Sequence, residues 1–405
     1  MTASLPGYDS AAVGAYVNAG SRNENEDENG VAHFLEHLMF KGSTTRTALD
    51  IATEVEKLGS NVNAYTSHGT TAYYVTGLAS TIETSVAILG DVLTDSLFDP
   101  VEIDVERGVI LQEIKRALDN PGSVAGDLFF RTAYPNQALG RPILGPSSFI
   151  EVATRENFVN FVSRCYSAQN MVVVGVGDID HDDFVAMVGQ HFRNLHSGKT
   201  PAIQPAEYVG GISTSTDSKF EQITACIGWK SVSALDRRVY AHHMLASALG
   251  GGMSSPLFQE VREKRGLVYS VNAGFYSGRD YGTLIMSAGT TADKLNEVIL
   301  NTCNVFRNAA TNITDNDMLR ARNQELVGLA TIKEKPMRLM GYLAGNLFDF
   351  GSIITPDVEK AIIELVRKDD LIEASEMIFA SQPTVALVGP IPDTDYLTMI
   401  QNEIR

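Results

Sequence analysis

The chain has 405 residues, more than one ordinary hydrophobic core accommodates, so two domains are expected. Hydrophobic residues make up 44% of the sequence, which excludes a disordered chain, and no apolar run reaches the roughly 18 residues of a membrane helix. Acidic residues outnumber basic ones by 49 to 32, and the net charge of −17 argues against binding to nucleic acid or an anionic membrane, although an acidic surplus is most often just a solvated surface.

The start of the chain and its cysteines bear on the compartment. Residues 1–6 lack the basic and apolar regions of a secretory signal. Cys165, Cys226 and Cys303 are odd in number and far apart, which fits neither a disulfide framework nor a thiolate zinc site. We therefore expect a reducing compartment.

The first half of the chain alternates strand-like and helix-like segments. An apolar strand is predicted over 11–18, and a hairpin over 62–79, where Thr, Tyr and Val alternate on both sides of a His-Gly turn. A long helix is predicted over 99–118, because Asp99 can cap it and Pro100 suits its first turn. A helix over 155–166 and a buried strand over 170–178 complete this half.

The second half repeats this pattern at low identity. It has an apolar strand over 222–229, a hairpin over 268–288, and a helix over 369–380 that leads into a strand over 383–390. Between the halves, residues 196–205 contain two prolines and no periodicity, which is typical of a linker. We predict an α+β fold of two similar domains, each with a sheet and packed helices. The predicted domains are residues 1–195 and 213–405, with a linker at 196–212.

Residues 33–37, His-Phe-Leu-Glu-His, lie in a segment that is predicted to be helical. At about 100° per residue, His33, Glu36 and His37 fall within an arc of about 100°. Two imidazoles at i and i+4 can bind one metal ion, and Glu36 beside it can take a proton from metal-bound water. The order H-x-x-E-H is the inverzincin signature. The alternative is a pair of surface or capping histidines, but the apolar neighbours indicate a buried helix, where such groups need partners.

A zinc site of this type needs a third protein ligand and an open position for water. Glu113 lies inside an apolar run of the long predicted helix, where an uncompensated carboxylate is costly. We predict that Glu113 is the third ligand. Glu106 lies on nearly the same helix face, two turns earlier, and either orients a ligand or belongs to a solvated helix face.

These motifs resemble those of the pitrilysin-type zinc metallopeptidases, most closely the mitochondrial processing peptidase β-subunits and their bacterial relatives. In that family one Glu follows the second His at the spacing at which Glu113 follows His37, and another precedes it at the spacing of Glu106. The resemblance covers nearly the whole chain. It implies two α+β domains with mixed, mainly antiparallel sheets that close like a clamshell around a chamber.

The resemblance also assigns residues outside the metal centre. In the second half, Arg262 and Tyr269 match residues that bind substrate and stabilise charge on the scissile carbonyl. From the residues alone, Arg262 belongs to a basic helix end and Tyr269 to a strand. Substrate in this family enters extended and pairs with a sheet edge. The matching substrate-binding residues are Phe40, Asn63, Ala64, Tyr65, Thr66 and Asp127.

The chain departs from the family pattern in three places. Ser123 stands where some processing relatives carry Glu, so a strict preference for basic presequences is not expected. Leu245 and Ala246 replace the Glu and His that a second metal motif would need, so one zinc ion per chain is expected. The strand at 11–18 lies so near the start of the sequence that the family's short first strand is expected to be absent.

We predict a zinc-dependent endopeptidase that hydrolyses peptide bonds in unfolded or short polypeptides, with some preference for basic residues. His33, His37 and Glu113 would hold the metal and Glu36 would be the general base. The alternative is a non-catalytic subunit, structural or substrate-presenting, on the same fold. The expected partners are a polypeptide substrate and, as in the relatives, a second copy or a related subunit. The expected compartment is the bacterial cytoplasm, or alternatively the mitochondrial matrix.

Overall fold

The computed structural model describes residues 1–404, apart from the side chain at position 310. These residues form two compact units that are interleaved along the chain. Unit 1 comprises residues 1–116, 141–204 and 331–353. Unit 2 comprises residues 117–140 and 205–330 and the residues from 354 onwards.

Each unit is built on a five-stranded sheet. The strands are β1 Thr2–Ser4, β2 Ser10–Val17, β3 Asn61–Thr66, β4 Thr71–Leu78, β5 Met171–Gly177, β6 Gly211–Ser215, β7 Ile223–Lys230, β8 Val271–Ser277, β9 Gly282–Thr290 and β10 Pro383–Val388. The strand order is β1-β5-β2-β4-β3 in unit 1 and β6-β10-β7-β9-β8 in unit 2. In both sheets the first pair is parallel and the other pairs are antiparallel. The predicted α+β fold with two similar, mainly antiparallel sheets is therefore confirmed.

Helices cover both sheets. In chain order the α-helices of the described residues are α1 Val31–Leu38, α2 Ala48–Lys57, α3 Ile82–Thr94, α4 Pro100–Leu118, α5 Pro121–Ala133, α6 Ser147–Ile150, α7 Arg155–Cys165, α8 His181–His191, α9 Val239–Gly250, α10 Leu295–Arg307, α11 Ala309–Asn312, α12 Asp315–Glu334, α13 Pro336–Phe350, α14 Pro356–Leu365, α15 Lys368–Phe379 and α16 Tyr396–Ile404. None of the helices in the described part of the chain has the length and apolarity that crossing a bilayer requires.

The sheet of unit 1 is buried on both faces, which explains why β2 is apolar along almost its whole length. On one face it packs against α1 and α3, in a core that includes Phe34 and Leu35. On the other face, α13 places Leu339 and Met340 against Tyr16 of β2. The site described below lies at the edge of the first face.

The sheet of unit 2 is covered in the same way. Phe129 of α5 packs in one core with Cys226 of β7. Elsewhere in this unit the fully buried Trp229 contacts Phe306 and Phe379 edge to face. The three cysteines of the chain are free and buried.

Local signals in the sequence predicted α4 well. Asp99 Oδ1 accepts a hydrogen bond of 2.8 Å from the N–H of Val101, and the helix ends at Leu118 as expected. The expectation that a first strand is absent is wrong. Residues Thr2–Ser4 lie parallel to β5, and the N-terminal ammonium donates a hydrogen bond of 2.9 Å to Val173 O, which fixes this strand at the sheet edge.

The two units exchange segments of the chain. α5 belongs to unit 2 although it precedes the predicted linker, and α13 belongs to unit 1 although it follows that linker. The predicted domain limits, 1–195 and 213–405, describe two contiguous and duplicated halves of the chain. The duplication of these halves stays a prediction.

Candidate metal centre

The helix α1 presents His33 and His37 on one face. Their ring centroids are 4.9 Å apart. His33 is 8% exposed, and its burial, together with the neighbouring His37, lowers the pKa of His33 to about 4. His33 is therefore neutral near pH 7, which is the form that offers a lone pair to a metal ion.

Glu113 brings a carboxylate from α4 to the two imidazoles. Its Oε2 lies 3.7 Å from His33 Nε2 and 3.6 Å from His37 Nε2. Tetrahedral zinc with bonds of about 2.0–2.1 Å keeps its ligand atoms about 3.3 Å apart, so this donor set fits zinc with little adjustment. Within residues 1–404, these three side chains are the only His, Cys, Asp and Glu group of this size that could hold a metal ion.

Glu106 is buried beside His37. Its Oε2 lies 3.0 Å from His37 Nδ1, and its Oε1 lies 2.5 Å from Lys41 Nζ. At 4% exposure it is not part of a solvated helix face. The carboxylate thus fixes the ring of His37 with its Nε2 toward Glu113. His33 has no such support, because its Nδ1 is buried without a hydrogen-bond partner in the described residues.

Glu36 lies on the same helix but outside the three-donor group. Its Oε2 accepts a hydrogen bond of 2.6 Å from Thr66 Oγ1 at the end of β3. Burial raises the pKa of Glu36, and the hydrogen bond from Thr66 and the charge of His37 oppose that rise. The side chain is thus held beside the candidate ligands while its carboxylate is not one of their donor atoms.

The start of α1 is fixed by Glu24, a residue that the sequence analysis missed. Its carboxylate accepts hydrogen bonds from the N–H groups of Gly30 at 3.0 Å and Ala32 at 2.9 Å, and from Asn29 Nδ2 at 2.8 Å. Gly30 occupies the N-cap position with φ of 102° and offers no side chain. A glycine at the N-cap, which has no side-chain acceptor for the first N–H groups, is the signal that could have prompted a search for an external acceptor.

Close backbone packing adds to this support. A Cβ on Gly30 would lie 2.9 Å from the Cα of Gly145, so only glycine fits at this contact. Arg141, in the same loop as Gly145, donates a hydrogen bond of 2.6 Å to the carbonyl oxygen of Glu24. The first turn of α1 is therefore held from two sides.

The residues that were predicted to bind substrate fall into two groups. Asn63, Ala64, Tyr65 and Thr66 lie together on β3, which pairs with β4 alone among the described strands and leaves its other edge open. Asn63 Oδ1 accepts a hydrogen bond of 2.8 Å from the N–H of Ala64. Phe40 follows α1, and its ring packs at 6.0 Å from that of Tyr73.

The other group lies in unit 2. The guanidinium of Arg262 lies 5.6 Å from the ring centroid of Tyr269, which is 82% exposed. Asp127 lies on α5, where burial raises the pKa of its carboxyl and Arg131 opposes the rise. Arg262 and Tyr269 are thus neighbours, and the roles of all three residues stay predictions.

The helix α9 packs on β8, an edge strand of the unit 2 sheet, as α1 packs on the edge strand β3 in unit 1. Its His242 is buried, with Nδ1 at 2.7 Å from Ser231 Oγ. His243 Nδ1 lies 3.6 Å from a carboxylate oxygen of Glu325. Leu245 and Ala246 stand where the motif of α1 has Glu36 and His37 and are buried apolar residues.

Two family models match the chain. The model described as insulinase (peptidase family M16) covers residues 1–147, and the model described as the peptidase M16 inactive domain covers residues 153–325. The chain belongs to peptidase family M16. The predicted family is thus confirmed, and with it the class of enzyme, a zinc metallopeptidase.

This M16 chain is similar to bacterial and mitochondrial proteins over most of its length. It is 36% identical over 391 residues to a Rickettsia felis protein named a zinc protease, covering 96% of the chain and 95% of the relative. It is 30% identical over 402 residues to the human mitochondrial-processing peptidase subunit beta, covering 95% and 81%. A crystal structure of a protease from Helicobacter pylori superimposes with a TM-score of 0.87 at 22% identity, covering 96% of each chain, and supports the fold.

Proposed function

We propose that this M16 chain is a zinc-dependent endopeptidase that cleaves unfolded or short polypeptides. The observation that carries the proposal is the approach of Glu113 Oε2 to the Nε2 atoms of His33 and His37, within 3.7 Å of each. Those three residues would hold one zinc ion per chain. When bound, zinc would act as a Lewis acid that acidifies water and polarises the peptide carbonyl.

The residues of α1 and β3 supply the proton transfers. Glu36 takes the proton of the attacking water and later passes it to the nitrogen of the leaving amine. Thr66 holds the carboxylate of Glu36 in place through its hydrogen bond of 2.6 Å. Glu106 keeps His37 in the orientation, and the tautomer, that leaves Nε2 free for the metal.

The substrate would bind as an extended strand along the open edge of β3. Strand addition uses main-chain hydrogen bonds, so it accepts many sequences but needs an unfolded segment. Thr66 on this strand touches Glu36, which supports cleavage of a chain lying along the edge. Phe40, Asn63, Ala64 and Tyr65 would contact the substrate, and Asp127 would favour basic residues in it.

Arg262 and Tyr269 would donate hydrogen bonds to the carbonyl oxygen as it gains charge. Their support is that the two side chains are neighbours and that Tyr269 is largely exposed, so its hydroxyl is available. The complete His-His-Glu group and the adjacent Glu36 argue against a purely structural subunit on this fold.

The partner and compartment rest on the relatives. One relative is named a subunit, so we propose that the chain pairs with a second copy or a related subunit. Another comes from Rickettsia felis, in support of the bacterial cytoplasm as the compartment, with the mitochondrial matrix as the alternative.

The proposal is tested by digesting a peptide library and reading the cut sites by mass spectrometry, with and without a zinc chelator. We expect cleavage within the peptides, its loss on chelation and its return when zinc is added. The Glu36→Gln protein serves as the control for contaminating peptidases. Cleavage that persists after the metal is removed would contradict the proposal.

A further inference from the structure

A pocket of about 420 Å³ lies on the face of the unit 1 sheet that packs against α13, opposite to α1. Such a volume is within the range of about 300–1,000 Å³ that is typical of small-ligand sites. Tyr16, Tyr65 and Tyr74 line it from the sheet, and Arg338, Gly341 and Tyr342 line it from α13. None of these residues belongs to the metal centre, although Tyr65 precedes Thr66, which contacts Glu36.

The strand register explains why there is space between the tyrosines. Tyr16 on β2 is opposite Ala72 on β4, and Ala72 is opposite Tyr65 on β3. The small Ala72, which is fully buried, therefore lies between these two large side chains in the sheet. The ring of Tyr74, two residues further along β4, lies 6.5 Å from the ring of Tyr65.

The pocket is continuous with the open edge of β3. Side chains of this strand alternate between the two faces of the sheet. Ala64 packs on the core that contains α1, and Thr66 reaches Glu36, whereas Tyr65 points into the pocket. A peptide that adds to this edge alternates in the same way, so every second side chain faces away from α1, toward Tyr65 and Asn63.

We propose that this pocket selects one large uncharged side chain of the peptide substrate, aromatic or long aliphatic, at a position facing away from α1. The proposal rests on the proposed function, because it needs a peptide that lies along β3. The rings of Tyr65 and Tyr74 offer apolar area and ring contacts to such a side chain, and the buried Tyr16 closes the pocket beside them. Arg338 at the pocket repels a cationic side chain, and burying a carboxylate against the rings is costly.

The chain offers a way to fill the pocket without disturbing the fold. A Cβ on Gly341 would meet only Tyr16 Oη, at 3.8 Å, which is an ordinary contact. Leucine in Gly341→Leu would therefore extend into the pocket volume. Gly345 lies one turn further along α13, does not line the pocket, and has nothing within 4 Å of a Cβ, so Gly345→Leu is the matched control. Both changes remove a glycine from a helix interior, which favours the helix.

The test measures peptide binding rather than cleavage. A short fluorescent host peptide of alanine, serine and threonine, with one phenylalanine moved along its length, is titrated into the zinc-loaded Glu36→Gln protein, which leaves the peptide intact. We expect phenylalanine at a fixed position to tighten binding about tenfold, Gly341→Leu to abolish this gain and Gly345→Leu to keep it. Replacing phenylalanine by lysine at that position should also abolish the gain.

Other results overturn the proposal. The first is that phenylalanine improves the peptide affinity at no position. The second is that the gain in affinity persists in Gly341→Leu, and the third is that Gly341→Leu and Gly345→Leu both lose the gain equally. Cleavage of the same peptides by the protein with Glu36 intact is measured in parallel. If zinc-dependent cleavage is missing, the proposed function fails, and the binding comparison still decides for or against the pocket.

Discussion

The carboxylate of Glu24 accepts a hydrogen bond of 2.9 Å from the backbone N–H of Ala32, in the first turn of α1. The next residue is His33, whose Nδ1 has no hydrogen-bond partner in the described residues. His33 is therefore positioned by its backbone and packing, whereas His37 is held directly by Glu106. The position of the first candidate ligand thus depends on a side chain nine residues upstream.

Replacing Glu24 by Gln should weaken zinc binding about tenfold or more, the usual effect of losing a group that orients a ligand. The amide keeps a single acceptor oxygen, and its NH₂ group would face a backbone N–H of α1. Competition between the protein and a chelating dye measures the affinity.

Glu28→Gln is the matched control for this variant. Glu28 is in the same loop and is 7% exposed, but it pairs with Arg164 and accepts a hydrogen bond of 2.9 Å from the N–H of Asn25 rather than contacting α1. We expect its zinc affinity to stay within twofold or so of the wild type. An equal loss of affinity in both variants would indicate general loosening of the loop and not positioning of His33.

The stability of the metal-free protein should depend on pH through Glu24. Burial raises the pKa of Glu24 to about 7, against the hydrogen bonds from Asn29, Ala32 and Gly30. A carboxyl whose pKa is raised in the folded state contributes stability that is complete below the unfolded value near 4.5 and is lost as the pH rises through about 7. Glu24→Gln removes this pH-dependent contribution to the free energy of unfolding.

The free energy of unfolding of Glu24→Gln, relative to the wild type, should therefore increase between about pH 5 and 8, by on the order of 3 kcal/mol. Denaturant unfolding at a series of pH values measures it. Parallel curves for the two proteins would show that the Glu24 carboxyl titrates normally in the folded state.

Replacing Glu36 by Gln should separate metal binding from hydrolysis. Because Glu36 is outside the donor group, we expect zinc affinity to change little, while kcat falls by at least about 10²–10⁴ through loss of the general base. Thr66→Val, which removes only the hydrogen bond to Glu36, should cause a smaller loss. Turnover near the wild-type rate in Glu36→Gln would assign the proton transfers to another residue.

Replacing Glu106 by Gln should lower zinc affinity about 10–100-fold, because the amide holds the ring of His37 less firmly. Lys41→Met is the control, since it removes the partner of Glu106 Oε1 but leaves the contact with His37. If the two variants lose the same zinc affinity, the ion pair between Glu106 and Lys41 contributes more to zinc binding than the orientation of His37 does. Isothermal titration of the metal-free proteins with zinc gives both values.

The sequence indicated which three side chains the structure brings together as a candidate metal group, because the signals are local. The positions of His33, Glu36 and His37 follow from helical periodicity, and Glu113 is conspicuous as a carboxylate in an apolar stretch of α4. By contrast, Glu24 caps the start of α1 from several residues upstream, and this spacing matches none of the standard capping motifs. The packing of α13 on β2 joins segments more than 300 residues apart, so it leaves no periodic trace in either one.

The pocket between the unit 1 sheet and α13 could not be predicted from the sequence, for the same reason. Tyr65 was predicted as part of the substrate edge, but its neighbours Tyr16 and Tyr74 reach it only through strand register, and Gly341 reaches it only through α13. The strand Thr2–Ser4 was missed because three residues are too few to establish alternation.

The late position of α13 has a consequence for biosynthesis. The sheet of unit 1 can be complete once β5 has emerged from the ribosome, but the helix that covers Tyr16 and Val174 begins only at Pro336. At about 5–20 residues per second, translation leaves that apolar face bare for on the order of ten seconds. During this interval the apolar face of every nascent chain is exposed and is a binding surface for chaperones. A fragment that is truncated at the linker would lack α13 and would keep this face exposed.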